Sequence, residues 1–194
     1  MDEKLKLITD SFGKDRVKLN EPLKYHTILE SSGLAKLFVI VFTALEIIKI
    51  VKMARQLKVP VFIFGTGSKI MISDSGFDGV VIKNRTSGVI IKGIKGKVSK
   101  TGLGVDEVLI EVESGTSVNK LVESLKNQNL IWQDLEGIVG TIGGNLFLSA
   151  DLQKRVKSIK VLDEYSDIEE IGVDKINPKK HIILSVVFKF KSLN

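Results

Sequence analysis

Leu37-Phe38-Val39-Ile40-Val41 opens a segment that continues through Thr43-Ala44-Leu45-Glu46 and closes on Val59-Pro60-Val61-Phe62-Ile63-Phe64 followed by Gly65-Thr66-Gly67-Ser68-Lys69. The first five residues are continuously apolar and rich in β-branched side chains, as a strand buried on both faces should be. Thr43 and Glu46 have capping-box spacing, in which each side chain satisfies a free amide of the other's backbone at a helix start. Behind them Leu45, Ile48, Val51 and, one turn later, Arg55 follow helical spacing, with Ile47 and Ala54 beside them. Val59 to Phe64 reads as a second strand. Gly79-Val80-Val81-Ile82 reads as a third, after the turn-like Ser73-Asp74-Ser75-Gly76. The result is a strand–helix–strand unit, expected to be parallel and right-handed.

Beyond this unit the pattern changes. Gly88 to Gly93 and Glu107 to Glu113 look like strands, and the second alternates charged with apolar side chains, so one of its faces should be wet. Ser117 to Asn127 has the spacing of an amphipathic helix, with Val118, Leu121, Val122 and Leu125 inward. Val156 to Leu162 and Ile182 to Phe190 are the closing strands. The fold class is therefore α+β. Residues 1–19 form an N-terminal extension, 20–84 a small α/β subdomain and 85–194 a larger mixed-sheet subdomain, with a boundary near Asn84 and no distinct linker.

Composition narrows the function. The 194 residues carry 43% hydrophobic and 27% charged residues, values of a globular chain with a real core. Its net charge of +6 is spread along the chain, and only 6% of residues are aromatic. A nucleic-acid binder would concentrate its basic residues and interleave exposed aromatics, so nucleic acid is not expected as a partner. With no cysteine and only His26 and His181, neither thiolate chemistry nor a Cys- or His-rich metal site is expected. Met1-Asp2-Glu3-Lys4 is charged with no apolar core behind it, unlike a secretory signal. The run Leu37 to Val51 contains Glu46 and Lys49 and is too short to span a bilayer. The expected setting is cytoplasmic, away from membranes.

A second glycine-rich stretch, Gly137-Ile138-Val139-Gly140-Thr141-Ile142-Gly143-Gly144-Asn145, accompanies Gly65 to Lys69. Small residues let backbone N–H groups approach an anion closely. Neither stretch is a dinucleotide fingerprint or a P-loop. Each alone reads better as a tight turn between strands. Together, with the hydroxyls of Thr66, Ser68 and Thr141, they point to a bound phosphorylated cofactor. The candidate cofactor-binding residues are Gly65, Thr66, Gly67, Ser68, Lys69, Gly137, Ile138, Val139, Gly140, Thr141, Ile142, Gly143, Gly144 and Asn145.

The order of motifs is specific. Asn20-Glu21-Pro22-Leu23-Lys24-Tyr25-His26-Thr27 comes first, then Gly65 to Lys69, then Asp74-Ser75-Gly76-Phe77-Asp78-Gly79-Val80-Val81-Ile82, then Gly137 to Gly144. This series resembles the UDP-N-acetylenolpyruvoylglucosamine reductase family, flavoenzymes of peptidoglycan precursor synthesis, over roughly residues 18 to 150. The resemblance implies a two-subdomain FAD-binding fold of the vanillyl-alcohol oxidase/p-cresol methylhydroxylase type. It also implies FAD between the subdomains, with pyrophosphate on the loop matching Gly65 to Lys69 and the loop matching Gly137 to Asn145 along the pyrophosphate and flavin. NADPH is the electron donor it implies. Asp74 to Ile82 is implied to be a structural turn and strand, and His26 is read as structural.

Departures from the family pattern are specific too. Its first loop ends in Ser-Asn, where this chain has Ser68-Lys69; its second carries a proline where this chain has Val139. Its Met-Asn-Ala-Gly run is replaced by Asn145-Leu146-Phe147-Leu148-Ser149-Ala150-Asp151, and its Tyr-Arg pair has no counterpart in Asp163 to His181. The family's proton-donating serine and supporting glutamate lie in a further substrate-binding domain that residues 1–194 do not match. Catalytic residues are accordingly unassigned. The expectation is a flavoprotein that is not a complete reductase alone, with a protein partner supplying the substrate domain. The alternative is a non-catalytic FAD- or nucleotide-binding scaffold or regulatory module.

Overall fold

The computed structural model describes residues 3–28, 33–99, 102–135 and 137–191. Two compact units divide the chain, Met1–Thr86 and Ser87–Asn194.

In the first unit, helix α1 (Glu3–Phe12) buries Leu5 and Ile8. Strand β1 (Val17–Pro22) then pairs antiparallel with β2 (Leu34–Val41), from Val17 opposite Val39 to Pro22 opposite Leu34. Residues 3–19 thus contribute a helix and part of a strand to this unit. Helix α2 (Ala44–Gln56) leads to β3 (Val61–Phe64), and β4 (Phe77–Asn84) inserts between β2 and β3, parallel to both. The sheet order is β1-β2-β4-β3. Parallel direction is as the sequence indicates, but β2 and β3 are not neighbours: their crossover leaves a gap that β4 fills.

Thr43 caps α2 as expected. Its Oγ1 accepts the Glu46 amide at 3.2 Å, and Glu46 Oε2 accepts the amides of Thr43 (3.2 Å) and Phe42 (2.8 Å). The inward face takes only part of that spacing pattern. Ile47, Ile50, Val51 and Ala54 are buried, while Leu45 is 77% exposed. Apolar residues surround most of this helix, so periodicity alone cannot choose a face. The stripe ending in Ala54 is wholly apolar, whereas the one ending in Arg55 would bury a guanidinium, and desolvation decides between them.

The second unit is built on a five-stranded sheet of order β5-β6-β9-β7-β8, comprising β5 (Val89–Ser99), β6 (Gly102–Glu113), β7 (Val156–Leu162), β8 (Ile168–Ile171) and β9 (Ile182–Lys191). Every pairing in it is antiparallel, which corrects the mixed sheet expected for this half. The helical connection from β6 to β7 does return a strand in the same direction. It leaves one position open, and β9 enters there antiparallel to both.

Helix α3 (Val118–Lys126) buries Val118, Leu121 and Leu125. They pack with Trp132, Ile142, Leu146 and Leu152 over Ile110 and Val112 of β6, Ile159 and Val161 of β7, and Val186, Phe188 and Phe190 of β9. Trp132 meets Phe188 and Phe190 edge-on at 5.2 and 5.5 Å, and the Arg155 guanidinium lies over the Trp132 and Phe190 rings. On the opposite face of β6, Glu111 accepts from Ser185 Oγ at 2.6 Å and pairs with Lys160 and Lys92 at 3.3 and 3.4 Å. Burial opposes ionisation of Glu111, but these donors outweigh it and hold its carboxyl below the usual range.

Candidate functional site

The first glycine segment leaves the sheet where β3 ends. Phe64 is in register with Lys83 of β4, so Gly65 starts at the carboxyl end of the parallel strands, the end where open α/β sheets bind ligands. Gly67 is buried with φ of +75°, and its carbonyl accepts the Ile28 amide at 3.1 Å. A Cβ at position 67 would overlap the His26 carbonyl oxygen and come within 3.0 Å of Thr27 Cα. Glycine is therefore demanded here by the chain's own packing. Thr66 Oγ1 and Ser68 Oγ are hydrogen-bonded at 3.0 Å, and Lys69 is exposed. Among the described residues, the amides of Gly65, Thr66, Gly67 and Ser68 have no main-chain acceptor.

His26 supports this bend. Its ring stacks on Phe38 at 4.2 Å, Nε2 lies 2.8 Å from Glu21 Oε1, and Nδ1 lies 3.5 Å from Lys83 Nζ. Lys18 also donates to Glu21 Oε1, at 2.9 Å. Lys83 is only 9% exposed, and its Nζ sits 5.9 Å from the Phe64 ring centroid. Burial, and then the nearby Arg85, push its ammonium below the usual lysine range. Sequence reasoning missed Lys83, although a lysine closing the run Val80-Val81-Ile82 is a signal that was present. A cavity of about 160 Å³, lined by Asp15, Arg16, Lys18, Phe38, Ile40 and Phe42, is smaller than typical ligand pockets.

The second glycine segment is divided in its commitments. Gly137 and Gly140 have φ of +80° and +112°. From Thr141 onward the chain turns into the short helix α4 (Ile142–Leu146), followed by α5 (Ala150–Lys154). The Ile142 amide donates to Thr116 O at 2.9 Å, Gly143 to Ser114 O at 2.8 Å and Asn145 to Thr141 O at 2.9 Å. Gly144 donates to Thr141 Oγ1 at 3.4 Å. The buried Asn145 side chain donates from Nδ2 to the carbonyls of Val139 and Thr141, both at 3.0 Å. The amides of Gly137, Val139, Gly140 and Thr141 have no main-chain acceptor among the described residues, and Val139 is 59% exposed. So Ile142 to Asn145 form the footing of the segment, and Gly137, Val139, Gly140 and Thr141 present the amides that lack main-chain acceptors among the described residues. Ile138 is half-buried against the core, its amide on Leu135 O at 3.2 Å.

Among the described residues, no group of three or more His, Cys, Asp and Glu is placed to hold a metal ion, and no helix is long and apolar enough to cross a membrane.

Solved structures with this fold include p-cresol methylhydroxylase (TM-score 0.66, 15% identity, covering 97% of this chain and 43% of that one) and alkyldihydroxyacetonephosphate synthase (TM-score 0.68, 19% identity, 98% and 42%). The fold is thus the FAD-binding fold of the vanillyl-alcohol oxidase/p-cresol methylhydroxylase type. Residues 35–150 match the FAD binding domain family, and the chain belongs to it. Relatives of the chain include UDP-N-acetylenolpyruvoylglucosamine reductases. That of Caldanaerobacter subterraneus subsp. tengcongensis is 30% identical over 160 residues, covering 79% of this chain and 48% of the relative. That of Alkaliphilus metalliredigens is 28% identical over 190 residues, covering 90% and 59%. The chain spans about half the length of the curated relatives it matches.

Proposed function

We propose that this chain binds FAD, with the amides of Gly65, Thr66, Gly67 and Ser68 on the cofactor's pyrophosphate and those of Gly137, Val139, Gly140 and Thr141 as the candidate donors of the second unit. The carrying observation is that the family-matched span contains both glycine segments, and that the first leaves four successive amides without main-chain acceptors among the described residues. The mutually hydrogen-bonded hydroxyls of Thr66 and Ser68 leave one further O–H donor beside those amides. Lys69 and Ile138 flank the two sets, and Ile142, Gly143, Gly144 and Asn145 hold the second in shape. When bound, FAD supplies two-electron hydride transfer, with NADPH as the donor that the resemblance of the motifs implies.

These residues bind and orient; none is assigned a proton transfer. The reductase chemistry of the relatives needs a positioned acid as well as the flavin. We therefore read the chain as the flavin-binding part of a reductase whose substrate groups are supplied by other residues. The absorbance spectrum of protein purified without added cofactor tests the first claim, since a flavin spectrum is expected. NADPH oxidation with the enolpyruvyl sugar nucleotide, by residues 1–194 alone and with candidate partners, tests the second. Turnover by this chain alone would overturn it. Bound FAD with no turnover under any pairing would favour a non-catalytic scaffold.

A further inference from the structure

A lysine is almost never fully buried unless an opposite charge accompanies it. Lys83 breaks that pattern. No carboxylate pairs with its ammonium among the described residues, and its neighbours are the His26 ring, the Phe64 ring and the cationic Arg85. A charged ammonium can only donate, so His26 Nδ1 must accept from it. The ring proton then sits on Nε2 and is donated to Glu21. Glu21, which Lys18 also engages, is thereby spent on fixing the imidazole and not on neutralising Lys83.

The position of this unmatched charge is specific. Ile40, Lys83 and Phe64 lie in one row across the parallel strands and share a face of the sheet with Phe38, on which His26 stacks. Phe64 is the last residue before the Gly65 bend, and the His26 carbonyl is the atom against which Gly67 packs. The same two residues that surround the ammonium therefore support the bend whose amides lack acceptors.

We propose that Lys83 supplies the fixed positive charge for a phosphate group held by the Gly65–Ser68 amides, with His26 and Glu21 as positioning residues. This rests on the FAD-binding reading above and deepens it, because it assigns the counter-charge to a residue outside the glycine segments. The ligand supplies to Lys83 the opposite charge that the described residues do not. Two effects of opposite sign follow from removing the ammonium. The free protein loses a buried, unmatched cation and should be no less stable. The ligand-bound protein loses its charge partner and should be weakened.

The test uses the full chain with Lys83→Met and, as a second neutral variant, Lys83→Gln. Thermal midpoints are measured without ligand and with inorganic pyrophosphate, and FAD affinity by flavin fluorescence at low and high salt. Expected are unchanged or raised midpoints for the free variants, FAD binding weakened about tenfold or more, a flatter salt dependence, and loss of the stabilisation by pyrophosphate. If the free variants are destabilised and bind FAD with wild-type affinity and salt dependence, Lys83 is structural and the inference falls while FAD binding stands. If the wild type ignores FAD, the FAD reading falls, and the pyrophosphate shift still decides on Lys83. A wild type indifferent to both overturns both.

Discussion

The carbonyl oxygen of His26 occupies the space that a side chain on residue 67 would need, so the bend at Gly67 is moulded onto the segment before β2. At Gly137 the φ is equally positive, but the position of a Cβ there is open. The two glycines are needed for different reasons, and substitution should separate them. Gly137→Ala carries only the left-handed backbone penalty, about 1–2 kcal/mol. Gly67→Ala adds a steric overlap with main chain, and should cost about 3 kcal/mol or more. Urea unfolding of both variants without ligand measures the difference, and equal losses would remove the packing argument. Loss of flavin in a Gly67 variant would consequently not by itself locate the anion.

Asn145 is the hinge pin of the second segment. Its buried amide ties the carbonyls of Val139 and Thr141 together. Asn145→Ala leaves the Val139 carbonyl unmatched, while Thr141 O keeps the main-chain amide of residue 145, and should cost about 1–3 kcal/mol. FAD affinity should fall as well, because Val139 and Gly140 lose their fixed geometry. A variant of undiminished stability would show that water replaces the amide.

Glu46 gives a defined acid response. The Arg16 hydrogen bond, opposed by burial and helped by the Phe42 amide, holds its carboxyl down to about 2 against an ordinary value of 4.5. A carboxyl depressed on folding stabilises the fold while it is ionised. Its contribution is therefore complete above about 4.5 and is lost as pH falls through about 2. At neutral pH Glu46→Gln should cost about 0.5–1 kcal/mol, since the pair with Arg16 is partly exposed. The gap in unfolding free energy between wild type and variant should shrink across that acid window. A gap independent of pH would contradict the assignment.

Trp132, the single tryptophan, anchors the second unit at 3% exposure. Trp132→Ala should cost about 3–5 kcal/mol. Trp132→Phe should cost much less, because it keeps the ring packing and removes an indole N–H with no partner among the described residues. Far-ultraviolet circular dichroism during denaturation distinguishes the two.

Much of the fold was legible because local and global signals agreed. Leu37 to Val41 is apolar on both faces because both faces of β2 are covered, and the Thr43–Glu46 box marks the true start of α2. The buried face of α2 was not legible, since apolar residues encircle it and only the cost of burying Arg55 selects the stripe. The helices Ile142–Leu146 and Ala150–Lys154 are too short to show a period, and β8 is largely exposed, so none stood out.

The glycine segments announced themselves by composition, but their division of labour did not. That Ile142 and Gly143 spend their amides on Thr116 and Ser114 depends on partners distant in sequence. Lys83 acquires its meaning only from His26, fifty-seven residues away in the chain.

The most direct measurement of the central claim follows the backbone amides themselves as ADP and then FAD are titrated into 15N-labelled protein. The account predicts that the amide resonances of Gly65, Thr66, Gly67 and Ser68 shift strongly with both ligands, while those of Ile142 and Gly143, already hydrogen-bonded within the protein, move little. Saturable binding that leaves Gly65 to Ser68 unmoved would contradict it.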